Sequence, residues 1–319
     1  MSPARTRTLL IFAALIVFPG VPLWAQSDPT TISSSSDSCL HRSIPLTMFS
    51  HAQQAPPEVR QVQVFVNGTQ ISASSLALYS GPVRVLLLID TSGSMQSSPQ
   101  GEKWGPGFAT AAFAVDSIPS RAAVIVGTFA QDLQLSQWQD RDSASKQVLT
   151  MKQRYPKGRT ALYSALDKAT SGLGNAQFLD TVFLVTDGGD NFRTVKPQQV
   201  VESLAARGIR VFVFLVDSGE YKTPEEREAP ENMEGLASAT GGIVFRPPWS
   251  KEWITGGGAR EMAKQIQHAA ASPYRVDFRL TAPINKSAKL KLETSLDPKL
   301  FTLAYPRHLE PCIAVAPPN

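Results

Sequence analysis

The segment Val83-Arg-Val-Leu-Leu-Leu-Ile-Asp90 constrains the fold of this chain more than any other. An almost continuous run of Val, Leu and Ile has no polar face, so it predicts a strand buried on both sides near the centre of a parallel sheet. The run ends in one acid and two hydroxyls at alternate positions, Asp90, Ser92 and Ser94. Oxygen ligands are thereby delivered to the carboxyl end of a buried strand, where open α/β sheets keep their ligand sites. Oxygen donors without Cys or His suit a hard divalent cation, Mg2+ or Mn2+.

Two later segments extend this pattern. Gly158-Arg-Thr160-Ala-Leu162 leads from a loop into a predicted helix, and the apolar strand from Thr181 to Val185 ends at Thr186-Asp187-Gly-Gly-Asp190. In this order, Asp90-x-Ser92-x-Ser94, Thr160 and Asp187 resemble the metal-ion-dependent adhesion site of the von Willebrand factor type A (VWA) family. The resemblance implies an α/β domain with a doubly wound, mostly parallel, Rossmann-like sheet. It also implies a Mg2+ or Mn2+ ion held by Asp90, Ser92, Ser94, Thr160 and Asp187, directly or through water, and an acidic residue of a partner protein as the sixth ligand. With neutral hydroxyls as three of the five ligands, the anionic ligands are few, and an octahedral ion keeps an open position that attracts an acidic side chain. The competing reading makes Ser92 and Ser94 turn and cap residues and places Asp187 in a glycine turn. It leaves the order of the three loops unexplained. Asp190 and Asn191 either rim the site or close its turn.

Strand and helix patterns alternate from residue 83 to 272, giving the expected α/β domain. Its predicted helices lie near 108–118, 143–152, 161–173, 197–207, 232–240 and 260–271. Before it, residues 58–82 form an N-terminal β segment: Val62, Val64 and Val66 alternate with neighbours, and Asn67-Gly68 is a type I′ hairpin signal. After it, residues 273–319 form a C-terminal β segment, where Val276, Phe278, Leu280, Leu290 and Leu292 alternate with charged residues. The two β segments are expected to pair as a small antiparallel β-sandwich flanking the α/β domain. Residues 26–57, rich in Ser, Thr and Pro, are read as a disordered lead-in.

Residues 1–25 have the layout of a secretory signal peptide: Arg5 and Arg7, the apolar run Leu9 to Phe18, then Pro19-Gly20 and a cut after Ala25. The run is too short for a membrane anchor, so the chain is expected to be exported to the periplasm or beyond, with no membrane span after cleavage. Its two cysteines, Cys39 and Cys312, sit near the ends of the mature chain and are compatible with one disulfide. The formal charge of +4 falls to about +2 without the leader, no footprint for nucleic acid. Leader, β segment, α/β domain and β tail together are similar to exported bacterial "VWFA-related" proteins of the acidobacterial type, over roughly residues 58–312.

Enzymatic readings fare worse. A phosphatase of the haloacid dehalogenase type resembles this strand end but carries a second Asp where this chain has Ser92, which cannot act as its acid and base. A serine hydrolase needs a histidine base, whereas His41, His51, His268 and His308 lie away from the loops at the sheet's carboxyl end. Gly256-Gly257-Gly258 lacks the spacing of a phosphate-binding loop. The expected function is a Mg2+-dependent protein-binding module for adhesion or assembly, not an enzyme. The alternatives are a structural component whose metal only stabilises the fold and, last, a metal-dependent hydrolase.

Overall fold

A seven-stranded α/β sheet and two four-stranded antiparallel sheets make up the architecture. The computed structural model describes residues 39–50, 61–71, 73–96, 103–216, 223–247, 257–271 and 273–311. The expected signal peptide, most of the lead-in and Cys312 lie outside them.

The central sheet is built from β5 (Arg84–Asp90), β6 (Ala123–Phe129), β7 (Leu133–Leu135), β8 (Gln139–Asp140), β9 (Thr181–Thr186), β10 (Arg210–Leu215) and β11 (Val244–Phe245). Its order is β11-β10-β9-β5-β6-β7, with β8 also paired to β6. Strands β11, β10, β9, β5 and β6 run parallel, while β7 and β8 are antiparallel additions at one edge. The interior strands are apolar throughout because both faces are covered. Val85, Leu87 and Ile89 of β5 enter one core, with residues from α1 (Trp104–Ser117), α2 (Arg141–Thr150) and α6 (Gly258–Ala271). Leu86 and Leu88 enter the other, with α3 (Leu162–Ser171), α4 (Pro197–Ala206) and α5 (Pro224–Thr240). The expected doubly wound, mostly parallel sheet is what the chain forms.

From β5 the chain builds outward to β6 and later returns to add β9 on the other side. The strand order therefore reverses between β5 and β9. Neighbouring connections diverge at such a point and open a crevice at the carboxyl ends of the strands. Asp90 ends β5 and Asp187 follows β9.

The flanking sandwich is also present, with a larger membership than expected. One of its sheets has the order β14-β1-β12-β4, from β1 (His41–Ser50), β4 (Ala73–Leu78), β12 (Tyr274–Arg279) and β14 (Phe301–Ala304). The other has the order β15-β13-β2-β3, from β2 (Gln63–Val66), β3 (Thr69–Ile71), β13 (Ala288–Glu293) and β15 (His308–Leu309). They close over a third core that includes Leu46, Met48, Val64, Val276, Phe278, Leu290 and Leu292. Asn67 and Gly68 take φ of 50° and 82°, the left-handed pair that a type I′ turn requires.

Strand β1 corrects the reading of residues 26–57 as a disordered lead-in. His41–Ser50 is a ten-residue strand, hydrogen-bonded to β12 on one side and β14 on the other. Its Ile44, Leu46 and Met48 fill the sandwich core, and Phe49 packs edge-on against Phe212 and Phe245 of the central domain. The physical reason is that four apolar side chains in seven residues outweigh the polar composition around them once partner strands from the far end of the chain cover them. Cys39, just before β1, is buried, and no described cysteine is free. The expected pairing with Cys312 falls outside the described residues.

Candidate metal site

The five residues singled out by sequence lie on three loops at the carboxyl end of the central sheet. Asp90 is wholly buried. Its Oδ1 accepts from Ser92 N–H (2.8 Å) and its Oδ2 from the Thr186 hydroxyl (2.7 Å). Ser92 is buried and immediately precedes the single turn Gly93–Met95, on which Ser94 is half-buried, and their hydroxyls share a hydrogen bond of 3.0 Å. Thr160, also buried, stands just ahead of α3.

Backbone hydrogen bonds stitch the loops together. Gly93 N–H donates to Gly158 O (2.9 Å), and Lys157 N–H donates to Thr91 O (2.9 Å). The approach is tight at Gly93, where an added Cβ would lie 3.2 Å from Gly158 O. Thr160 N–H donates to Asn191 Oδ1 (2.8 Å), while the Asn191 and Phe192 amides donate to Thr160 O. Asp190 Oδ1 accepts from Leu162 N–H (3.0 Å), placing a carboxylate at the N-terminus of α3, where free amides and the helix dipole favour it. Asp190 and Asn191 thus bind the Thr160 loop to the Asp187 loop, a role that their sequence position alone left open.

The electrostatics of the two acids differ. Burial first, and then the charge of Asp187, push the Asp90 carboxyl up to about 7 against the opposing hydrogen bonds from Ser92 and Thr186. Asp187 is nearly as buried, and its Oδ2 accepts from Lys103 Nζ at 2.9 Å. The same ammonium reaches Glu226 Oε1 at 3.2 Å. Burial alone would depress Lys103, but Asp187 and Glu226 more than offset it and hold it above the ordinary lysine value. Glu226 belongs to the capping box of α5: its amide donates to Thr223 Oγ1, and Thr223 N–H donates to its Oε2.

The donor set fits a hard divalent ion. Two buried carboxylates that repel one another call for positive charge, and the hydroxyls of Ser92, Ser94 and Thr160 add neutral oxygen donors on adjoining loops. Among the described residues there is no cluster of three or more His, Cys, Asp or Glu arranged for a metal, so the hydroxyls are indispensable to this reading. Sequence reasoning missed Lys103 and Thr186. Thr186 adjoins Asp187 in a strand whose side chains alternate, which was a usable signal. Lys103 lies thirteen positions after Asp90 with no motif around it.

No family model matches the chain, and no curated protein does either. Solved structures with some similarity include an aerotolerance-related membrane protein from Bacteroides fragilis, 19% identical, covering 56% of this chain and 98% of that one, with a TM-score of 0.42. A von Willebrand factor type A protein from Catenulispora acidiphila is 14% identical over 78% of this chain and 73% of its own, with a TM-score of 0.45. The PilB minor pilin from Streptococcus sanguinis is 12% identical over 60% and 63%, with a TM-score of 0.43. At such scores the likenesses carry no functional weight, and the fold rests on its own strand order.

Proposed function

We propose that this chain is a divalent-cation-dependent protein-binding module, exported to the periplasm or the cell exterior. The observation that carries the reading is the meeting of two buried acids with hydroxyl-bearing loops in the crevice between β5 and β9. Asp90, Ser92, Ser94, Thr160 and Asp187 would hold one Mg2+ or Mn2+, directly or through water. When bound, the ion supplies an electrophilic position that an Asp or Glu side chain of a partner protein can occupy. Thr186 and Ser92 N–H fix the Asp90 carboxylate, and Asn191 and Asp190 fix the loop that carries Thr160. Ser92 offers a hydroxyl where a phosphatase would need a second acid, which favours binding over catalysis. The leader-like residues 1–25 support export, and no described helix is long and apolar enough to cross a membrane.

Calorimetry of the mature protein should show uptake of about one Mg2+ or Mn2+ per chain and a rise in melting temperature with metal concentration. The double substitution Asp90→Ala with Asp187→Ala should abolish uptake while circular dichroism stays native. Proteins captured from an exported fraction in Mg2+ should be released by chelator. Undiminished metal uptake by the folded double variant would reject the site.

A further inference from the structure

Lys103 places a permanent positive charge inside the candidate site. Only 6% of it is exposed, and its ammonium lies between two carboxylates from different elements, 2.9 Å from Asp187 Oδ2 and 3.2 Å from Glu226 Oε1. We propose that Lys103 is a tethered competitor of the divalent ion: its ammonium neutralises Asp187 while the site is empty and must move off that carboxylate when the site loads. The proposal rests on the reading of the site as a cation site and adds how its loading is set.

Three features carry the argument. Asp187 Oδ1 is engaged by Gly189 N–H at 3.3 Å and Oδ2 by Lys103, so a metal ion meets a carboxylate already holding a cation. A divalent ion and an ammonium on the same carboxylate repel each other, and in a buried setting this repulsion is weakly screened. Lys103 also has somewhere to go. Glu226 is held in place by its capping box with Thr223, and the flexible lysine stem lets Nζ shift toward Glu226 without moving α1. Asp187 and Glu226 thus form a working and a resting partner for one ammonium. Lys103 sits at the N-cap position of α1 without making a side-chain cap bond, so its side chain is not needed to start that helix.

The test compares wild type, Lys103→Met, Lys103→Arg and Glu226→Gln at one fixed pH. Mg2+ binding is followed by calorimetry and Mn2+ binding by the electron paramagnetic resonance signal of the free ion. Lys103→Met removes the competing charge and keeps the apolar stem, so affinity should rise roughly tenfold or more. Its melting temperature in chelator should fall below wild type, because Asp187 is left buried without a counter-charge, and saturating Mg2+ should restore it. Lys103→Arg keeps the charge and should bind no tighter than wild type. Glu226→Gln takes away the resting partner and should weaken metal binding several-fold. Unchanged or weaker metal affinity in folded Lys103→Met, with wild type binding the ion, overturns the proposal and leaves the cation site standing. No uptake by either protein overturns the cation site and the competition with it. Uptake by Lys103→Met alone supports both.

Discussion

Asp90 keeps its carboxylate where charge is hardest to sustain. It is wholly buried, faces the charge of Asp187, and is raised to about 7. Neutralising it should relieve the apo protein: in chelator, Asp90→Asn is expected to melt a few degrees above wild type while taking up no divalent ion. A lower melting temperature in a calorimetric scan would show that the hydrogen bonds to Ser92 and Thr186 outweigh the repulsion. His268 makes a separate prediction. Burial lowers its pKa from 6.5, and its Nε2 lacks a hydrogen-bond partner among the described residues. Its depressed value means that the unfolded chain binds the proton first, so stability falls as pH drops below 6.5. His268→Gln should flatten that slope in urea titrations between about pH 5 and 7; an unchanged slope would place the effect elsewhere. At this scale the sequence exposed the ligand candidates, because they sit in a recurring pattern at strand ends. Lys103 was invisible because a salt bridge between residues 84 positions apart leaves no local pattern.

Loops and helices, one level up, explain why the site holds its shape. Gly188 follows Asp187 with φ of +80°, and a Cβ there would come within 2.6 Å of the Ala229 Cβ on α5. Gly188→Ala adds a left-handed backbone penalty to a clash with a helix and should cost roughly 1–3 kcal/mol. Because the strain falls beside Asp187, metal affinity should drop as well. Urea unfolding and calorimetry on one sample check both, and a wild-type midpoint would refute the steric account. Helix ends were the least legible elements. Helix α5 begins at Pro224, well before the expected residue 232, and it contains Pro230. A proline inside a helix argues for a break, but the Thr223–Glu226 capping box and the burial of Ala229, Met233 and Leu236 carry the helix through. Helix α1 begins at Trp104, four residues before expected, because Gly105, Pro106 and Gly107 mask its first turn. By contrast, the buried strands and the Asn67-Gly68 hairpin were plain in the sequence, since apolar runs and left-handed turns have few alternatives.

Across the whole molecule, Arg210 joins the two halves. It opens β10 at the end of the central sheet opposite the site and is fully buried. Its guanidinium donates to Thr47 Oγ1 of β1 (3.0 Å), Ala269 O of α6 (3.0 Å) and Thr181 Oγ1 of β9 (2.6 Å). Burial pushes Arg210 down to about 9, and the nearby charge of Asp180 acts against that fall. Arg210→Ala would leave these buried acceptors short of a donor, so stability should fall by on the order of 3 kcal/mol. Chemical denaturation measures the loss; a change below about 1 kcal/mol would mean that water replaces the clamp. This link was unreadable in the sequence for the same reason that β1 was: both depend on partners from the other end of the chain. The place of β1 also sets a schedule. His41 faces Arg279, 238 residues later, so at about 5–20 residues per second the strand waits roughly 10–50 s for its partner to be synthesised. The central sheet and its helices lie wholly within that interval and can fold as a unit before the sandwich closes. Until then Ile44, Leu46 and Met48 ride on an unpaired strand, open to pairing with a neighbouring chain. A protein cut short after α6 would keep that hazard permanently, so its last strands also guard newborn chains against one another.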